Sequence, residues 1–321
     1  MTAGGHPAPA TSPRARLFDA HCHLQAHCHL RKAAEVGVAA LACNGCWQDD
    51  WARVAELCAD GGGSSGGGGA SSSGSSSGAA LPTVVPNFGL HPWWVARRSP
   101  DWLERLRAAL LAHPTAGLGE CGLDRGPRCA AGYAEQLEAF EAQLMLAQEL
   151  QRPVSVHCVR AYGAVHDALR RLALTVPVVL HSWTGAAEMT AVLAALRTPV
   201  YFSLSGHLLK QPPAKALPMV RAIPLDRLMI ESDSPDGALD PPPAWLHALP
   251  QLSHLPGELR AAGLAQLNRP CVLRWTLQLV AAAAGRPEEE VACATWDNAC
   301  RVFGCTPDGV GAAAKQLDSQ G

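Results

Sequence analysis

Eight short, nearly continuous apolar runs punctuate the chain, at 16–20, 37–43, 83–90, 116–120, 153–158, 176–181, 199–204 and 227–232. Runs of this kind suit strands covered on both faces, as in a parallel sheet. Between them, 50–59, 101–112, 134–150, 161–172, 186–196 and 269–284 repeat apolar residues every three or four positions, the period of a helix with one buried face. Eight strands alternating with helices predict an α/β fold, a TIM (β/α)8 barrel.

Six apolar segments end in histidine or carboxylate: LFDAHCH, NFGLH, GLGE, PVSVH, PVVLH and LMIESD. A parallel barrel opens all its strand C-termini onto one mouth, so residues far apart in sequence are expected to converge there. Several imidazoles with two carboxylates in that position point to a metal centre.

The chain has 321 residues, 48% of them hydrophobic, and a single barrel takes about 250 residues before insertions. One catalytic domain is expected over 16–306, flanked by loose tails at 1–15 and 307–321. The Gly/Ser stretch at 60–80 has almost no side chains to bury and reads as a flexible loop insertion. A formal charge of −2 argues against a surface that grips many phosphates at once, so any phosphate must be held locally. Twelve scattered cysteines without a signal sequence read as reduced intracellular thiols, and the Cys43/Cys46 pair as packing at a strand end. No apolar run approaches the roughly 20 residues of a membrane span. A soluble monomer in the cytoplasm or nucleus is expected, with an organelle left open.

His21 and His23 alternate along a strand, about 7 Å apart on one face, and so can share a cation. Glu120 ends the fourth run beside glycines that permit close backbone approach, and its two oxygens can serve two cations. Asp124 is either an outer hydrogen-bond partner or a turn residue. His157 and His181 end the fifth and sixth runs. Asp233 can hold a metal and accept a proton from water. A second HCHL, His27 to Leu30, competes with the first. Only the first follows an apolar strand, Leu17 to Ala20, so the His21/His23 register is preferred.

In order, DAHCHL, GLHPWW, GECGLD, VSVHCVRA, HSWTG, ESDSP, NRP and DNACRVFG resemble the signature blocks of the TatD family of metal-dependent hydrolases, mostly deoxyribonucleases on a TIM barrel. The resemblance runs from Leu17 to Gly304. It implies a 3′-5′ exodeoxyribonuclease with two divalent ions (Mg, Mn or Zn) and DNA as substrate. By motif, His21, His23, Glu120 and Asp233 surround one ion, and Glu120, His157 and His181 the other. Glu120 and Asp233 are then the catalytic residues, while His91 and Arg160 contact phosphate. Trp183 stands where phenylalanine is common and keeps an aromatic face for stacking a base. The short segment after the first HCHL implies a reduced substrate-covering loop. The rival reading is an amidohydrolase-type C–N or ester hydrolase, such as a D-aminoacyl-tRNA deacylase. A non-enzymatic scaffold is the third, and it would be expected to have lost a ligand.

Overall fold

The computed structural model describes residues 15–25, 29–61, 80–265, 267–306 and 309–310. Its eight expected strands are β1 (Leu17–Cys22), β2 (Val38–Asn44), β3 (Thr83–Phe88), β4 (Gly117–Asp124), β5 (Val154–Val159), β6 (Val178–Leu180), β7 (Val200–Leu204) and β8 (Leu228–Ile230). They pair in parallel, in sequence order, in one sheet. The segment after β8 closes the sheet on β1. The Asp233 amide donates to the His21 carbonyl at 2.9 Å, and the His23 amide to the Ser234 carbonyl at 2.7 Å. The chain is a TIM barrel, as its pattern of runs predicts.

The helices are α1 (Leu30–Glu35), α2 (Trp51–Gly61), α3 (Trp102–Ala112), α4 (Tyr133–Leu150), α5 (Tyr162–Leu172), α6 (Ala187–Ala194), α7 (Pro213–Ala222), α8 (Pro243–Ala248), α9 (Leu255–Ala261), α10 (Leu273–Ala284) and α11 (Glu288–Phe303). Six were expected within a few residues. α1, α7, α8 and α9 are short or carry proline, and α11 begins in three consecutive glutamates. The first four offer too short or too broken a run to show an apolar period, whereas α11 does bury one face at helical spacing, its stripe interrupted by the polar Thr295 and Asn298. No helix among the described residues is long and apolar enough to cross a membrane.

Outward side chains of the strands, such as Leu118, Val156 and Leu180, pack with helix residues such as Phe140 and Leu169 in the main core. Inward residues form a separate cluster: Phe18, Ala20, Ala40, Ala42, Val85, Val179, Tyr201 and Met229. Ala299, Val302 and Phe303 of α11 join it. The Phe18 and Phe303 rings stack with centroids 5.3 Å apart, so α11 plugs the barrel floor. The mouth is thereby the open end.

Two expectations at the edges of the domain change. Gly309–Val310, assigned to the loose tail, pairs antiparallel with Cys305–Thr306, because that short strand offers unpaired backbone groups. α2 runs on to Gly61, and the rest of the Gly/Ser insertion, 62–79, lies outside the described residues, as does the 1–14 tail. Every described cysteine is a free thiol.

Candidate metal centre at the barrel mouth

β5 and β6 deliver their histidines by plain alternation. Val154, Val156, Val178 and Leu180 face the outer core, so Ser155, His157 and His181 face the axis. β1 and β4 need a correction to the pleat. Phe18 and Ala20 face inward, and strict alternation would send His21 outward, but the β1/β2 register shifts between Asp19 and Cys22. A comparable shift against β5 falls between Leu118 and Cys121 and turns Glu120 inward. Glycine is needed there. Gly119 has φ +155°, and a Cβ on it would come within 2.7 Å of Ser155 Cβ.

The shifts and the alternation converge on Glu120, which is 3% exposed. Its Oε2 faces His21 Nε2 at 3.4 Å and His23 Nε2 at 3.3 Å, and these two nitrogens are 3.2 Å apart. Asp233 Oδ1 stands 4.0 and 3.9 Å from the same nitrogens. Oε1 of Glu120 faces a second group: His181 Nε2 at 2.7 Å, His157 Nδ1 at 2.9 Å and His91 Nε2 at 3.3 Å. Each oxygen of one carboxylate therefore has its own histidines, His21 and His23 on Oε2 and His157 and His181 with His91 on Oε1.

Three of these imidazoles are hydrogen-bonded at their outer nitrogens, and a fourth, His181, faces a carboxylate there. His23 Nδ1 lies 2.9 Å from the Asn44 carbonyl, so that nitrogen donates and Nε2 keeps its lone pair for the site. His21 Nδ1 meets Ser155 Oγ at 2.9 Å, and His157 Nε2 meets Asp124 Oδ2 at 3.4 Å. His181 Nδ1 has Glu231 Oε1 at 3.6 Å, an ion-pair distance. His91 is reversed. Its Nδ1 accepts from the Trp93 amide at 3.2 Å, which assigns the proton to Nε2. His91 thus has its proton fixed on Nε2, facing Glu120, a donor suited to a phosphate oxygen.

Burial alone pushes the Glu120 carboxyl up, yet the imidazoles of His181, His91 and His21 and the His157 hydrogen bond hold it well below the usual carboxylate range. Burial disfavours charge on His181 and His157 too. It is outweighed at His181 by Glu120 and at His157 by Asp124 and Glu120, and both are raised. His21 and His91 are lowered chiefly by burial, His91 to about 4. Asp233 Oδ2 accepts from His207 Nε2 at 3.0 Å and Ser182 Oγ at 3.2 Å, leaving Oδ1 to the site. Burial raises Asp233 in isolation, but the His207 hydrogen bond and the fields of His181 and His21 set it below its ordinary value. Asp233 is therefore an anion.

Asp124 fills both roles open to it: Oδ1 accepts from the Gly126 amide across a turn, and Oδ2 takes the Trp93 indole N–H at 2.5 Å beside His157. Arg160 is exposed just past β5 at φ 54°, outside the two cavities described at the mouth. The expectation for Trp183 is overturned. It is 1% exposed, its indole N–H donates to Thr190 Oγ1 at 2.8 Å, and its ring packs on Tyr162 and Phe202, so no face is left for a base. Ser182 is left-handed, and Trp183 follows it into the helix layer. His29 precedes α1 and joins none of the ligand groups, whereas His21 and His23 do; His27 lies outside the described residues.

Sequence reasoning missed Ser155, Asn44, Glu231 and His207. Ser155 stands two residues before His157 and so shares its face, a signal that was available. His207 follows β7, whose end offered no ligand pattern. Trp93, Lys210 and Arg128 also line the larger mouth cavity, of about 650 Å³.

A (β/α)8 barrel with histidines and carboxylates converging at its C-terminal mouth defines the metallo-dependent hydrolase class. Residues 18–304 match the family model for the TatD-related DNases, and the chain belongs to that family. It is 32% identical over 219 residues to a protein of Erwinia amylovora named 3′-5′ ssDNA/RNA exonuclease TatD, covering 67% of this chain and 76% of that one. The fold is shared with the TatD homologue YjjV of Escherichia coli, at TM-score 0.69 and 22% identity over 92% of this chain and all of that one. It is shared also with a TatD family hydrolase of Entamoeba histolytica, at 0.70 and 15% over 91% and 99%.

Proposed function

We propose that this protein is a divalent-metal-dependent phosphodiesterase that removes nucleotides from DNA ends as a 3′-5′ exonuclease. The observation that carries it is the split Glu120 carboxylate, each oxygen with its own histidines. Tetrahedral donors about 2.1 Å from a cation stand about 3.4 Å apart, and the separations around Glu120 run from 2.7 to 3.4 Å. The donor set fits two cations: His21, His23, Glu120 and Asp233 for one, His157, His181 and Glu120 for the other. Such ions, Mg, Mn or Zn, would polarise a phosphoryl oxygen and lower the pKa of water.

The side chains supply the rest. Asp233, anionic and held at Oδ2 by His207 and Ser182, offers Oδ1 as the acceptor for a proton from the attacking water. His91 donates Nε2–H to a phosphate oxygen inside the mouth, and Arg160 reaches a neighbouring phosphate from the rim. Glu120 gives the site a bridging carboxylate of its own, and the Arg128 and Lys210 cations at the cavity suit a polyanion. The amide or aminoacyl ester reading is therefore second.

The test is hydrolysis of 5′-labelled single-stranded DNA beside a panel of acyl substrates. Cleavage that ladders from the 3′ end, stops on chelation and returns with Mg, Mn or Zn is expected. Turnover of acyl substrates alone would overturn the reading.

A further inference from the structure

The mouth carries three tryptophans that none of the chemistry above uses. Trp47 follows β2, and Trp93 and Trp94 sit in the 3-10 turn Pro92–Arg97 after β3. All three are half-buried and line the same cavity as Glu120 and His157. The Trp47 and Trp94 rings stack at 4.6 Å and 15°, and the Arg97 guanidinium lies 4.8 and 5.0 Å from their centroids. The Trp93 ring stands 4.8 Å from His91 and 6.3 Å from His157, with Arg128 over it at 5.5 Å.

These side chains are held in place. Asp50 accepts from the Cys46 amide at 2.9 Å and the Trp47 amide at 3.3 Å, fixing the loop that carries Trp47. The Trp94 amide donates to the His91 carbonyl at 2.9 Å, and the Trp93 indole to Asp124. Half-buried indoles gathered at one mouth offer apolar and π surface that a ligand can cover.

We infer that Trp93 and the Trp47/Trp94 pair form a base-stacking track, on which the bases of a single nucleic-acid strand lie while Arg97 and Arg128 meet its phosphates. The shape argues for this occupant: flat π faces alternate with guanidinium groups, as stacked bases alternate with phosphates. The track begins at a histidine of the metal centre, and a cavity of about 650 Å³ leaves room beyond a single reacting nucleotide. Duplex DNA hides its base faces and cannot use the track. The choice of nucleic acid as occupant rests on the nuclease reading.

The experiment compares binding of two phosphorothioate-linked, fluorescein-labelled 12-mers in magnesium, one with bases and one abasic throughout, read by anisotropy. The wild-type protein should bind the strand with bases at least about 5-fold more tightly, the least expected from one stacked base. Trp47→Ala/Trp94→Ala should bring the two strands to nearly equal affinity, and Trp47→Phe/Trp94→Phe should restore most of the difference. Equal binding of both strands by the wild type, or equal weakening of both by the alanine variant, would overturn the track. Cleavage of an unmodified strand keeps the two readings apart. Base-dependent binding without cleavage retains the track and removes the nuclease; cleavage with no base dependence does the reverse.

Discussion

The two halves of the candidate metal centre share Glu120 and differ in how they are held. His157 and His181 stand on regularly alternating strands, and their outer nitrogens face the carboxylates of Asp124 and Glu231. His21 and His23 come from a strand with a shifted register, and their outer nitrogens face a hydroxyl and a backbone carbonyl. The His21/His23 half answers with a carboxylate of its own at the site, Asp233. A charged outer partner raises imidazole basicity and fixes the ring, whereas a charged ligand adds attraction directly. One half thus builds affinity behind its ligands, and the other places a proton acceptor among them.

The largest effect should come from the residue that belongs to both. Glu120→Ala should empty both halves, measured as bound metal per chain at limiting free cation, with loss of turnover; retention of one ion would show that the halves are independent. Next is Asp233→Asn, which should slow turnover at least ~100-fold, the scale of a lost acid–base group. Its His157/His181 half should stay loaded, and wild-type turnover in this variant would remove Asp233 from the chemistry. Smaller still, Asp124→Asn or Glu231→Gln should weaken cation binding about 10- to 100-fold, and Ser155→Ala should cost less. A larger loss at Ser155 would reverse the comparison.

The smallest effect is a pH dependence. Burial raises the Asp124 carboxyl in isolation, but its hydrogen bonds with His157, Trp93 and the Gly126 amide bring it to about 2, from 3.8. A depressed folded value contributes stability that is fully present above pH 3.8 and is lost as pH falls towards 2. The Tm advantage of the wild type over Asp124→Asn should therefore shrink between about pH 5 and pH 2. An advantage that stayed constant would show that Asp124 acts through packing rather than charge.

The same contrast explains what could be read from the chain alone. All eight strands were visible because doubly covered parallel strands are apolar runs, and His157 and His181 followed from simple alternation. His21 does face the mouth, but the expectation rested on an incomplete reason, since pleating by itself would have turned it away from the axis. Of the anchors, Ser155 sits in an apolar run like ordinary strand filler, Asn44 acts through its backbone carbonyl and leaves no side-chain signal, and Glu231 stands two residues before the more conspicuous Asp233. Trp183 misled because a tryptophan beside a ligand histidine reads alike whether it faces the mouth or the helix layer. The aromatic surface that does face the mouth sits three strands earlier, in GLHPWW.

The plug at the barrel floor bears on how the chain is assembled. Phe18 is among the first strand residues made, and its stacking partner, Phe303, comes after all eight strands. Contacts of such long sequence separation form late, because the intervening chain must lose its freedom before they contribute. During synthesis the inward face of β1 therefore waits, uncovered, for a helix the ribosome has not yet produced. Nascent chains halted before α11 should bind hydrophobic dyes and holding chaperones through that open base.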